Sequence, residues 1–176
     1  KNKAWEALES IIITVPFSKR GDTNILKKRF QNLCAFLQDF DKQLFLLSSI
    51  GIYPDLEMEI SENSLAENTL NPTILAIEQM LKNEIPKINI LRLGGLMGDT
   101  RYLSKYDIPA TQQVVNHVHY EDVCGVINKM IANKITSKTY NVVAPLHPTK
   151  KDVIDYQKGI IQTDISSGFG RKINSD

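Results

Sequence analysis

Apolar residues recur along this chain in two rhythms. Ser10-Ile11-Ile12-Ile13-Thr14-Val15 is an unbroken, mostly β-branched run stopped by Pro16, the pattern of a strand covered on both faces in a parallel sheet. Gln43 to Ser48 and Ile88 to Leu93 repeat the pattern, and Thr139 to Val143 is a fourth such run. Between these runs the period becomes helical. Leu26, Phe30, Leu33, Leu37 and Phe40 predict an amphipathic helix over residues 23–40, with Asp22 or Thr23 as its N-cap. Pro72 opens a second helix, with Ile74, Ile77 and Leu81 along one face as far as Lys82. Val123, Val126, Ile127 and Met130 predict a third over 122–133, and Thr149 caps a short fourth over 150–157. A short strand is expected at 114–120, a long acidic loop at 51–71, and a glycine-broken loop after Leu93.

Strands alternating with helices imply a parallel sheet covered on both faces. Ligands of such sheets bind beyond the carboxyl ends of the strands. Three predicted strands end there in unusual chemistry: Thr14-Val15-Pro16, Ser48-Ser49 and Gly94-Gly95. A buried strand can finish on two hydroxyls where its end is the mouth of a cleft.

Composition narrows the picture. The 176 residues are 42% hydrophobic and 23% charged, enough for one globular domain with a sizeable core. A net charge of +1 offers no broad field for nucleic acid or a membrane surface. The densest basic run, Lys27-Lys28-Arg29, lies on a predicted helix and reads as a solvated face. Cys34 and Cys124 sit far apart, each in an amphipathic helix, and read as two buried small apolar residues rather than a disulfide. Without CxxC or clustered histidines no metal site is expected. No apolar run approaches a membrane span, and the expected location is a reducing cytoplasm.

The segments FLLSSIGIYPD (45–55), NPTILAIEQML (71–81), INILRLGGLMGDTR (88–101), VNHVHYEDV (115–123) and YNVVAP (140–145) follow one another in an order that resembles the extended and atypical short-chain dehydrogenase/reductases, the NAD(P)-dependent epimerase/dehydratase family. The likeness spans Ser10 to Lys151. It implies a partial Rossmann-like α/β fold: a parallel sheet with helices on both faces, its first strands missing, plus a small C-terminal substrate-binding part. Residues 1–100 would be the later half of a NAD(P)-binding domain. Residues 101–176 would be a mixed segment, partly substrate-binding and partly returning to the sheet. The family's glycine-rich turn, which sets the dinucleotide pyrophosphate on a helix N-terminus, has no counterpart here. On the family pattern Ser10 opens the fourth strand, so the chain reads as the later part of a longer protein.

The resemblance implies NAD or NADP as cofactor, with Thr14, Val15, Pro16, Ser48, Ser49, Gly94, Gly95 and Leu96 lining its nicotinamide half. Family members work with a Ser or Thr, a Tyr and a Lys. Ser49 matches the serine and is the candidate catalytic residue. Tyr53 matches a tyrosine that is not catalytic. With Glu78 aligned on the family's helix acid, Leu70 stands at the catalytic tyrosine and Ile74 at the lysine, and neither carries a proton. Thr73, Tyr102 and Tyr106 are nearby substitutes without the right spacing. Glu62 and Arg101 are candidate substrate-binding residues. Nucleotide-sugar epimerases carry an arginine four residues before the position of His119, and Val115 stands there instead. The implied partners are a dinucleotide and a small polar or sugar-like substrate, with no nucleic acid and no membrane, and a homo-oligomer is left open. The activity is that of an oxidoreductase or isomerase; the alternative is a non-catalytic nucleotide sensor or interaction protein of the same fold.

Several of these residues also have structural readings. Ser48 and Ser49 can satisfy backbone groups at a strand end. Arg92 reads as a structural arginine paired with an acid such as Asp122. His117 and His119, on one short strand, are expected to send only one ring to any given site, with His119 a satisfied structural histidine. Asp122 suits a helix start, Asn141 suits stitching of loops, and Glu62 suits a loop acid. A serine hydrolase built on Ser49 with His119 or His147 lacks both the GxSxG elbow and a named orienting acid.

Overall fold

The β-branched run at Ser10 forms β1 (Ser10–Ile13), shorter than its pattern because Pro16 follows closely. It is the first element of a computed structural model that describes residues 5–17, 23–160 and 164–176. Helix α1 (Thr23–Leu37) follows, burying Leu26, Phe30, Cys34 and Leu37. Asp22, one of the two expected caps, lies outside the described residues. Next come β2 (Gln43–Ser49) and a 3-10 turn at Ile50–Ile52. The expected acidic loop holds a two-residue strand, β3 (Glu59–Ile60), and a second 3-10 turn at Glu67–Thr69.

Helix α2 (Pro72–Glu84) starts where its sequence says it should. Asn71 Oδ1 accepts from the Thr73 and Ile74 amides, and Pro72 at the first helical position has no N–H to satisfy. Then follow β4 (Asn89–Leu93), β5 (Gly95–Met97), β6 (His117–His119), α3 (Tyr120–Ala132), β7 (Thr139–Val142), α4 (Lys150–Gln157) and β8 (Lys172–Ile173). Thr149 and Asp152 close a reciprocal capping box on α4. The glycine-broken loop after Leu93 is therefore partly a strand, and the strand expected at 114–120 keeps only its last residues.

Strands β1, β2, β4 and β7 form one parallel sheet in the order β1-β2-β4-β7, giving a partial Rossmann-like α/β fold. Alternation divides its residues between two cores. Leu44, Leu46 and Ile90 face α1 and α2, where Phe30, Ile77 and Leu81 are sealed from water. Phe45, Leu91, Leu93 and Val142 face α3 and meet Val123, Ile127 and Met130. Each such fully buried large side chain contributes roughly 1.5–3 kcal/mol of transfer free energy. A third cluster, of Ile50, Ile52, Tyr53, Ile60, Leu70, Ile74 and Ile173, packs the N-terminal turn of α2 under the β3–β8 pair.

Two expectations on the cores need correction. Cys34 is buried, and burial pushes its thiol pKa up, but Cys124 is exposed, because its position on α3 faces away from the sheet. Arg92 does not pair with Asp122. It faces α2 and meets Glu78, since β4 alternation sends residues 90 and 92 to the same side. Among the described residues no helix is long and apolar enough to cross a membrane.

Candidate functional site

Parallel register brings the strand ends to one edge of the sheet. β1 ends with Ile13 opposite Leu46, Ser49 stands opposite Leu93, and Leu93 opposite Val142. Thr14, Val15 and Pro16 leave β1 on that edge, with Thr14 and Pro16 exposed and Val15 half-buried. The two serines diverge, as neighbours on a strand must. Ser48 is 5% exposed and donates to Glu78 Oε1 at 2.6 Å, so it faces the α2 core and not the edge, contrary to the cofactor-lining expectation. Ser49 is half-buried and caps the following 3-10 turn by accepting from the Gly51 amide at 3.0 Å. That bond occupies an Oγ lone pair and leaves the hydroxyl proton available.

Ser48 belongs to a buried polar chain. Arg92 donates to both Glu78 oxygens, with Nη2 to Oε2 at 2.8 Å, and its Nη1 donates to Tyr53 Oη at 2.8 Å. Tyr53 Oη donates to Asn141 Oδ1 at 2.8 Å, and Asn141 Nδ2 donates to the Asn174 carbonyl at 2.7 Å. Burial works against charge on Arg92, but the bonds to Glu78 and Tyr53 more than offset it and raise the guanidinium pKa. Burial raises the Tyr53 pKa, with Arg92 acting in the opposite direction. The chain stitches β2, α2, β4 and β7 to the C-terminal segment. Glu62 extends it: its carboxylate accepts from the Asn141 amide, from Ser175 Oγ at 2.8 Å and from the Asp176 amide at 2.9 Å. Glu62 borders a cavity of about 530 Å³ beside Glu78 and Arg92.

The glycines after β4 serve close packing. A Cβ on Gly94 would lie 2.4 Å from the Asn116 carbonyl oxygen, and one on Gly95 would lie 2.5 Å from the His117 ring. Their absence lets β6 pair with β5 in parallel register. Gly94 is buried, whereas Gly95 and Leu96 are exposed.

Beyond this pair opens a cleft of about 580 Å³ between the 97–102 segment, β6, the 144–148 loop and α4. His117 and His119 both border it, so two histidines separated by one residue share a side of the strand, correcting the expectation that only one could face a site. His119 caps α3 through Nδ1, which accepts from the Glu121 amide at 3.3 Å. His117 Nδ1 is buried without a partner, and burial lowers this ring's pKa. Arg101 borders the same cleft, so the structure places it apart from Glu62. Leu70 and Ile74, which the resemblance sets at the acid–base positions, are buried in apolar packing. The sequence pattern gives no sign of the cleft wall formed by α4 and the 144–148 loop.

No family model matches the chain. It is 27% identical over 152 residues to protein YeeZ of Escherichia coli K12, covering 81% of this chain and 55% of that protein. The chain thus spans about half the length of the curated relatives it matches. Among solved structures, it superposes on a conserved protein of unknown function from Silicibacter pomeroyi with a TM-score of 0.70 at 17% identity, covering 97% of this chain and 69% of that one. It superposes on UDP-N-acetylglucosamine 4-epimerase from Bacillus cereus with 0.67 at 16%, covering 96% and 68%. On dTDP-glucose 4,6-dehydratase from Bacillus anthracis, solved with NAD, the score is 0.65 at 14%, covering 96% and 62%. The chain shares the Rossmann-like fold of these proteins.

Proposed function

We propose that the chain is the later part of a NAD(P)-binding protein of the epimerase/dehydratase type, acting on a small substrate at the carboxyl edge of its sheet. The observation that supports this most directly is the alignment of three strand ends at one edge, with Ser49 on the side opposite the α2 core. Likeness to a dehydratase solved with NAD points the same way. Residues 1–100 supply the sheet edge, and residues 101–176 supply the substrate wall and the strand that returns to the sheet.

The residues present fit only the nicotinamide half of the cofactor. Thr14, Val15, Pro16, Ser49, Gly95 and Leu96 would border it. When bound, the dinucleotide gives or takes a hydride. Ser49 holds the reacting oxygen by donating its free hydroxyl proton. Leu70 and Ile74 contribute neither acid nor base. A cytoplasmic location accords with this chemistry.

NADH and NADPH titration of the complete gene product, followed by nucleotide fluorescence, tests the reading. Saturable binding of either supports it, and no binding up to about 1 mM removes it. The apolar burial of Leu70 and Ile74 favours a second reading, a nucleotide sensor without turnover. Turnover of any sugar or hydroxy acid that Ser49→Ala abolishes, with dinucleotide affinity kept, rules the sensor out.

A further inference from the structure

The 580 Å³ cleft has a polarity of its own. It joins a smaller cleft of about 390 Å³, and Met97, Arg101, Tyr102, His117 and Gln157 border both. These residues form a shared neck. Leu96, on the exposed strand edge, borders the smaller side. On the larger side stand Leu146, Tyr156, Ile160 and Ile165, which with Tyr102 at the neck are five large apolar side chains left between 43% and 81% exposed. So many unpartnered apolar groups in one concavity mark a surface that something covers.

The neck presents hydrogen-bond donors in a specific way. His117 Nδ1 is buried and makes no hydrogen bond. A buried orphan N–H is costlier than an orphan lone pair, so Nδ1 is the bare nitrogen and the proton sits on Nε2. Nε2 is not sealed, so the ring presents an N–H donor where the two clefts meet. Arg101 adds an exposed guanidinium. Among the described residues no carboxylate borders the smaller cleft. Three acids border the larger side, each already engaged, so an anionic head belongs toward the smaller side: Asp152 accepts from Ser166 and from Thr149, Asp99 accepts from Tyr120 Oη, and Asp164 is partnered as well.

We infer that this cleft binds a small amphipathic carboxylate, its head held by Arg101 and His117 Nε2–H at the neck and its apolar body lying against Leu146, Tyr156, Ile160 and Ile165. The volume suits a body of drug-like size. A nucleoside diphosphate fits poorly, since among the described residues Arg101 is the one arginine bordering either cleft and much of the larger side is apolar. As a substrate class the inference rests on dinucleotide binding at the adjoining sheet edge; as a binding site it stands alone.

Calorimetric titration of the chain with octanoate, 1-octanol and UDP-glucose, without dinucleotide, tests it. Octanoate is expected to bind about tenfold or more tightly than 1-octanol. Arg101→Gln, on an exposed loop, erases that preference, and Tyr156→Ser weakens both ligands alike. Nitrogen-detected NMR of the histidines is expected to show His117 as the Nε2–H tautomer. Equal affinity for octanoate and octanol, a preference untouched by Arg101→Gln, an Nδ1–H tautomer, tighter binding of UDP-glucose, or no octanoate binding up to about 10 mM overturns the inference. Dinucleotide titration is a separate measurement, so either reading can fail while the other stands.

Discussion

Arg92 on β4 and Glu78 on α2 meet at 2.8 Å with side chains 6% and 1% exposed. Neither has water to fall back on, so each is the other's compensating partner in the core. The pair locks α2 against the sheet and holds Tyr53 toward Asn141.

Removing one partner leaves a buried, uncompensated charge. Arg92→Ala and Glu78→Ala are each expected to cost about 3–5 kcal/mol, measured by urea denaturation. Replacing both with Met and Leu should cost much less than the sum of the single changes. An additive double variant would show that the two groups do not couple.

Burial lowers the His117 pKa below the ordinary 6.5. As pH falls through 6.5, the unfolded chain takes up a proton that the folded chain refuses. Stability from this residue is therefore complete above that pH and is lost below it, down to the folded pKa. Midpoints of urea unfolding between pH 7.5 and about 5 should fall less steeply in His117→Asn than in the parent.

Gly94 and Gly125 differ in the space beside them. Gly94→Ala drives a methyl to 2.4 Å from a backbone carbonyl that cannot swing away, and should cost about 1–3 kcal/mol. Gly125 lies within α3 with nothing within 4 Å of an added Cβ. Gly125→Ala should stabilise by about 0.5–1 kcal/mol, visible as a raised Tm.

Ser49→Ala removes the acceptor that holds the Gly51 amide. A loss of about 0.5–2 kcal/mol is expected from the cap alone, read from thermal melts. Ser49→Thr keeps the oxygen and should recover most of it.

Much was legible in the chain itself. The continuous runs at 10–13, 43–49, 89–93 and 139–142 read as buried strands because only a sheet covered on both faces tolerates consecutive apolar positions. Pro72 and Thr149 marked helix starts because proline suits the first helical position and a capping oxygen lies within three residues of the amide it serves. These are local effects, and local sequence determines them. That Leu70 and Ile74 cannot ionise, wherever they sit, was also readable.

Only tertiary structure decided which way the polar side chains turn. Ser48 and Ser49 look equivalent in LLSSIG, yet the sheet sends one to Glu78 and leaves the other at the edge. Arg92 found Glu78, fourteen residues away, and not Asp122, because β4 alternation and the placement of α2 chose the partner. His117 and Tyr156, thirty-nine positions apart, border one cleft only because β6 and α4 are brought together across it. Partner choice for a buried polar group depends on which elements share a face, and that is a property of long-range packing, not of spacing along the chain.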